Sequence, residues 1–166
     1  MSRKILASAF GAVVLVATAF QVLLAQAQSG EQDVEKAAVE RTLRSYGDAF
    51  SRGELSSISQ HCNIPFVVNA PQGVRVFATT AEVETFYDTI LRDLRERGYS
   101  HSKWVELHVR LLGKTAALAI GVFTRYKTDG SELATLGGTY LLRKNDSDWK
   151  VAVVTVHPPS DVIRPD

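Results

Sequence analysis

The chain has 166 residues, 45% of them hydrophobic and 22% charged, with 19 basic and 18 acidic residues, the profile of one globular domain with an added segment. Setting aside Arg3 and Lys4 in that segment leaves 19 − 2 = 17 basic residues against 18 acidic ones, which excludes the electrostatic footprint of a nucleic-acid binder or of a protein held on an anionic membrane surface. A single cysteine, Cys62, excludes an intrachain disulfide.

The added segment comes first. Met1-Ser2-Arg3-Lys4 is a short basic start, residues 5–24 are nearly all apolar or small, and Ala25-Gln26-Ala27 is an A-x-A cleavage pattern, so residues 1–27 read as an export signal cleaved before Gln28. The apolar run is longer than such signals usually carry, and about 20 apolar residues can span a bilayer. A retained membrane anchor is therefore the alternative, and contact with a membrane is expected only in that case. No cysteine follows the run, which argues against a lipid anchor. Residues 28–159 form the folded domain, and 160–166 a loose tail that begins at the ladder-breaking Pro158-Pro159.

Ser29 and Gln32 have capping-box spacing, and a helix is predicted from there to Arg52, with Val39, Leu43, Tyr46 and Phe50 on one stripe and Gly53 ending it. Leu55, Ile58 and Cys62 predict a short second helix, which Asn63-Ile64-Pro65 breaks. Residues 64–70 and 74–77 read as a small hairpin about Pro71-Gln72-Gly73. Thr79 and Glu82 cap a third helix with Val83, Phe86, Tyr87, Ile90 and Leu94 on one side and Gly98 after it.

Four apolar, β-rich segments follow, 103–112, 115–127, 133–143 and 149–156, separated by Gly113-Lys114, Asp129-Gly130-Ser131 and Asn145-Asp146-Ser147-Asp148. They predict an antiparallel meander. In the first segment Trp104, Glu106, His108 and Arg110 alternate with Val105, Leu107, Val109 and Leu111, which predicts a mixed outer face, suited to a homodimer contact or plain solvation, and a greasy inner one. Gly137-Gly138 predicts a bulge inside the third segment. The fold class is thus α+β: a curved antiparallel sheet wrapped on three N-terminal helices.

The order of elements, together with Tyr46-x-x-Ala49-Phe50-x-x-Gly53-Glu54-Leu55, Phe77-x5-Val83-x-x-Phe86, Gly138-x-Tyr140-x-Leu142 and Trp149-Lys150-Val151, resembles the nuclear transport factor 2-like superfamily, the cystatin-like α+β cones, and particularly its SnoaL-like branch. The resemblance spans residues 34–157. It implies a conical pocket between sheet and helices, which ketosteroid isomerases, scytalone dehydratases, limonene epoxide hydrolases and polyketide cyclases use for chemistry and other members for binding. In the isomerase pattern Tyr46 falls on the position that donates to the substrate oxygen. The carboxylate base expected before the hairpin proline is replaced by Ala70.

Candidate pocket residues are Tyr46, Asn69, Tyr126, Tyr140 and His157, with Arg125 beside Tyr126; the bulge expected at Gly137-Gly138 leaves open which face Arg125, Tyr126 and Tyr140 each take. His157 is the ionisable group best suited to act as acid or base, because it shares alternation with Trp149, Val151, Val153 and Thr155 at the end of the last segment. Asp48 points off the helix stripe and reads as a solvated carboxylate, and His61, His101 and His108 as surface or locally bonded groups. No H-x-H, H-E-x-x-H or phosphate-cradling glycine loop occurs, so neither a metal nor a cofactor is expected. Three functions fit: an exported domain that binds a small apolar ligand, a cofactor-free isomerase, dehydratase, cyclase or hydrolase using His157 and Tyr46, and an interaction module acting through the outer face of the sheet.

Overall fold

The computed structural model describes residues 6–164, with side chains from residue 29 onward. The basic start and the side chains of the apolar run and of the A-x-A triplet lie outside the described residues. Helix α1 is Leu6–Arg52, and Ser29 and Gln32 lie exposed inside it, so the predicted capping box does not start a helix. The reason is local: no proline interrupts the sequence before it, and the Ala, Leu and Gln residues there favour helix. Among residues with described side chains, no helix is long and apolar enough to cross a membrane.

Residues 36–166 make one compact unit. Its remaining elements are α2 (Leu55–Gln60), β1 (Cys62–Ala70), β2 (Gly73–Phe77), α3 (Thr80–Glu96), β3 (Tyr99–Leu111), β4 (Ala116–Lys127), β5 (Glu132–Asn145) and β6 (Asp148–His157). The predicted meander is β3 to β6. Six strands form one curved sheet in the order β2-β1-β6-β5-β4-β3, antiparallel except where β1 runs parallel to β6. α2 ends before Asn63-Ile64-Pro65 as predicted, and β1 begins two residues earlier than the predicted 64–70 and passes through Pro65. Its pairing with β6 jumps from Cys62 opposite Val151 to Val67 opposite Val153, so no ladder bond is asked of the proline nitrogen.

The α1 stripe is buried as the spacing requires: Val39 and Leu43 are fully enclosed, and Tyr46 and Phe50 nearly so. Helix α3 starts in a complete capping box, with the Glu82 amide donating to Thr79 Oγ1 at 3.3 Å and the Thr79 amide to Glu82 Oε2 at 3.3 Å. It buries Val83, Tyr87, Leu91 and Leu94. These side chains meet Phe66, Ala117, Ala119, Leu142, Trp149 and Val151 from the inner face of the sheet in a single core.

Of the one-residue insertions in the meander, those within β3 and β6 decide which of their central residues join that core. In β3, Trp104 pairs with Phe123 and Glu106 with Val122, which leaves Val105 as a bulge, 66% exposed. In β6, Val151 pairs with Leu142 and Val153 with Leu141, which leaves Ala152 as a second bulge. Each reverses the alternation on its strand. Trp104 therefore faces inward against Phe123 and Tyr140, with ring centroids 5.6 and 5.7 Å away, and does not belong to the outer face predicted for it. Gly137-Gly138 forms no bulge, since Val122 and Gly121 pair with them in regular register. Gly138 instead makes room for the Tyr140 ring, which would lie 2.7 Å from a Cβ there.

Beyond β6 the chain is anchored as far as it is described. Val162 is buried, and Arg164 holds Glu106 at two points, Nη2 to Oε1 at 2.6 Å and Nε to Oε2 at 3.3 Å. Glu106 also faces His108 Nε2 at 3.5 Å, so part of the mixed outer face of β3 is taken up within the chain.

Candidate functional site

Between the inner face of the sheet and helices α1 and α3 lies a cavity of about 470 Å³. Its walls are mostly aromatic and aliphatic: Phe50 and Tyr46 from α1, Phe86, Tyr87 and Ile90 from α3, Val68 from β1, Trp104, Phe123 and Tyr140 from the meander, and Val154 and Val156 from β6. Register explains the selection. Trp104 opposite Phe123 and Val154 opposite Tyr140 are cross-strand pairs whose side chains stand on one face of the sheet, the face turned to the helices.

Within the cavity wall the phenols of Tyr46 and Tyr87 share a hydrogen bond in which either can donate. Both hydroxyls are held well above the ordinary phenol range, first because burial penalises the phenolate. Tyr140 is likewise pushed well above the ordinary phenol range by burial, so all three rings keep their protons. They can donate hydrogen bonds to a ligand and cannot act as bases.

The polar part of the wall is another cross-strand pair, Ser102 on β3 opposite Arg125 on β4. Ser102 Oγ lies 2.7 Å from the Tyr99 hydroxyl, and the Arg125 guanidinium sits 5.7 Å from the Phe50 ring and 5.7 Å from that of Phe123. Arg44 and Asp48, both exposed and four residues apart on α1, stand at the rim. Lys103 also borders the cavity, but its ammonium lies 5.8 Å from the Tyr126 ring on the other face of the sheet.

Of the five residues named from the sequence, Tyr46 and Tyr140 line the cavity and the other three share the outer face. Asn69 pairs with Thr155 and donates to its Oγ1 at 3.5 Å. Tyr126 stacks on His101 with ring centroids 5.2 Å apart. His157 lies opposite Gly137, where a Cβ would be 2.5 Å from its ring, and its Nε2 meets Thr139 Oγ1 at 2.9 Å. The structure does not bring His157 and Tyr46 together, because the Ala152 bulge turns Val154 and Val156 inward in place of Val153, Thr155 and His157. Sequence reasoning missed Trp104, Tyr87 and Ser102 as cavity residues, and it left the face of Arg125 open. For Arg125 the signal was present, since unbroken alternation from Ala117 through Ala119, Gly121 and Phe123 leads to it. Among the described residues no group of three or more His, Cys, Asp or Glu is placed to hold a metal ion.

A curved sheet folded over three helices with a hollow between them is the cystatin-like α+β architecture. The chain belongs to the family described as NTF2-like protein (DUF6841), which matches residues 34–159. Solved structures share the fold at low identity. An NTF2-like protein with a cystatin-like fold from Novosphingobium aromaticivorans is 15% identical, with a TM-score of 0.64 over 83% of this chain and 89% of its own. An NTF-2-like protein of unknown function from Shewanella oneidensis MR-1 is 18% identical, with a TM-score of 0.59 over 73% of this chain and 97% of its own. A ketosteroid isomerase-like protein from Erwinia carotovora atroseptica SCRI1043 is 19% identical, with a TM-score of 0.58 over 79% of this chain and 98% of its own. No curated protein matches the sequence.

Proposed function

We propose that this chain is an exported domain that binds a small, largely apolar molecule in the cavity between its sheet and its helices. One observation carries the reading: about 470 Å³ of space walled by aromatic and aliphatic side chains, with a few convergent polar groups. Small-molecule sites are of this kind, in the range of roughly 300–1,000 Å³. Export is supported by the basic start, the apolar run and Ala25-Gln26-Ala27. Intact mass of the secreted protein tests it, with Gln28 expected as the first residue. Thermal-shift screening with hydrophobic metabolites tests binding. Hits are expected to raise Tm in the wild type and to lose their effect in Val156→Trp, which fills the cavity from its wall, whereas hits that persist in that variant place the ligand elsewhere.

A second reading, a cofactor-free isomerase, lyase or hydrolase, is favoured by the Tyr46–Tyr87 phenol pair. Preorganised donors in an apolar site stabilise a developing oxyanion. A ketosteroid isomerase-like protein is among the relatives by fold. Asp48 is the carboxylate that borders the cavity and is the base this chemistry would call on. Turnover of an enolisable ketone, lost in Asp48→Asn and in Tyr46→Phe, would establish this reading over simple binding.

A further inference from the structure

We propose that the molecule taken up by this cavity is an apolar carboxylic acid whose carboxylate is received by Arg125; this inference rests on the cavity being a ligand site. Arg125 Nε is fully buried and has no hydrogen-bond partner in the protein. Among the described residues no carboxylate stands within ion-pair distance of its guanidinium. Burial holds its pKa below the usual arginine value, and the nearby phenols of Tyr99, Tyr140 and Tyr46 offset this only in part. The rings of Phe50 and Phe123 give the cation some attraction, but neither accepts a hydrogen bond.

A charge drawn partly out of water is ordinarily paired, and one whose Nε is buried without a partner, in a wall that lines open space, marks where a counter-ion fits. The rim carboxylate, Asp48, is exposed on α1 and forms no ion pair with Arg125. The planar guanidinium favours a two-oxygen acceptor, which a carboxylate provides. Opposite it, the bonded hydroxyls of Ser102 and Tyr99 supply a further donor. Trp104 and Phe123, the next inward pair along the same two strands, give the apolar body its surface. The ligand is therefore oriented, with its acid group at the Ser102–Arg125 end.

Calorimetric titration of the full chain with two matched pairs, decanoate against decan-1-ol and 4-phenylbutyrate against 4-phenylbutan-1-ol, tests this. At least one acid is expected to bind ten-fold or more tightly than its alcohol in the wild type, and Arg125→Met is expected to abolish that preference while the alcohol still binds. Ligand-free Arg125→Met is expected to melt at or above the wild-type temperature, since it removes an unpaired charge. Alcohols that bind as well as the acids, or a preference that survives Arg125→Met, overturn the inference and leave the cavity reading intact. Failure of all four probes to bind overturns both.

Discussion

Glu106 and Gly121 meet where β3 bulges over β4: a Cβ built on Gly121 would lie 2.2 Å from the Glu106 carbonyl oxygen and 3.0 Å from Leu107 Cα. Both neighbours are backbone, so neither can swing aside. Gly121→Ala is expected to destabilise the domain by about 1–3 kcal/mol, the usual cost of overpacking. Gly47 in α1 is the contrast, because a Cβ there would be 3.7 Å from Trp104 Nε1, an ordinary contact. Gly47→Ala is expected to stabilise by about 0.5–1 kcal/mol through helix propensity. Urea unfolding of the two variants should move in opposite directions, and a neutral Gly121→Ala would show that the bulge is not held by this contact.

Removing one hydroxyl of the Tyr46–Tyr87 pair leaves the other buried without its partner. Tyr46→Phe and Tyr87→Phe are each expected to cost about 1–3 kcal/mol, while the double variant costs less than their sum. A double-mutant cycle by denaturant melts reads the coupling directly. Strict additivity would mean that the two oxygens do not share a proton in solution.

Cys62 is buried, its thiol bonded toward the Ile58 carbonyl at 3.4 Å, and burial pushes its pKa up to about 12. Thiolate is the reactive form, so at pH 8 the native protein is expected to resist an aromatic disulfide reagent that labels it fully in urea. Rapid labelling without denaturant would contradict the burial of β1 against the core.

His61 donates to or accepts from Ser45 Oγ at 3.0 Å, and its pKa is lowered first by burial and then by Lys150. The unfolded chain therefore takes up this proton more readily than the folded one. Stability attributable to His61 is intact above the unfolded pKa of about 6.5 and falls as pH drops through it. The midpoint of urea unfolding is expected to decline from pH 7.5 to 5.5 in the wild type and to decline less in His61→Gln. The window lies above the carboxylate range, so Glu54, Glu106 and Asp129, all held below their usual pKa by hydrogen-bonding partners, do not contribute.

Element order, the α1 stripe and the α3 capping box were legible because helix periodicity and cap chemistry are local properties. Tyr46 was legible as a cavity residue for the same reason, since it lies on that stripe. The strand residues were harder. Trp104 and His157 were assigned faces by period-two alternation, and Val105 and Ala152, each an extra residue with nothing distinctive about it, reversed both assignments. The glycine that marks a bulge is Gly121, on the strand across from it, while Gly137 and Gly138 answer to the rings of His157 and Tyr140. Such marks become readable only once strand pairing is known. Arg125 needed no such information, since its strand alternates without interruption from Ala117 to that position.

Ala152 stands outside the ladder, since Val151 pairs with Leu142 and Val153 with Leu141, so a three-nucleotide deletion at its codon would leave a regular strand with the same partners. Val154 would stay opposite Tyr140 and His157 opposite Gly137, and the aliphatic wall of the chamber would be kept. Turning Thr155 and His157 inward takes the opposite change, a one-residue slip that draws Ala152 into the ladder.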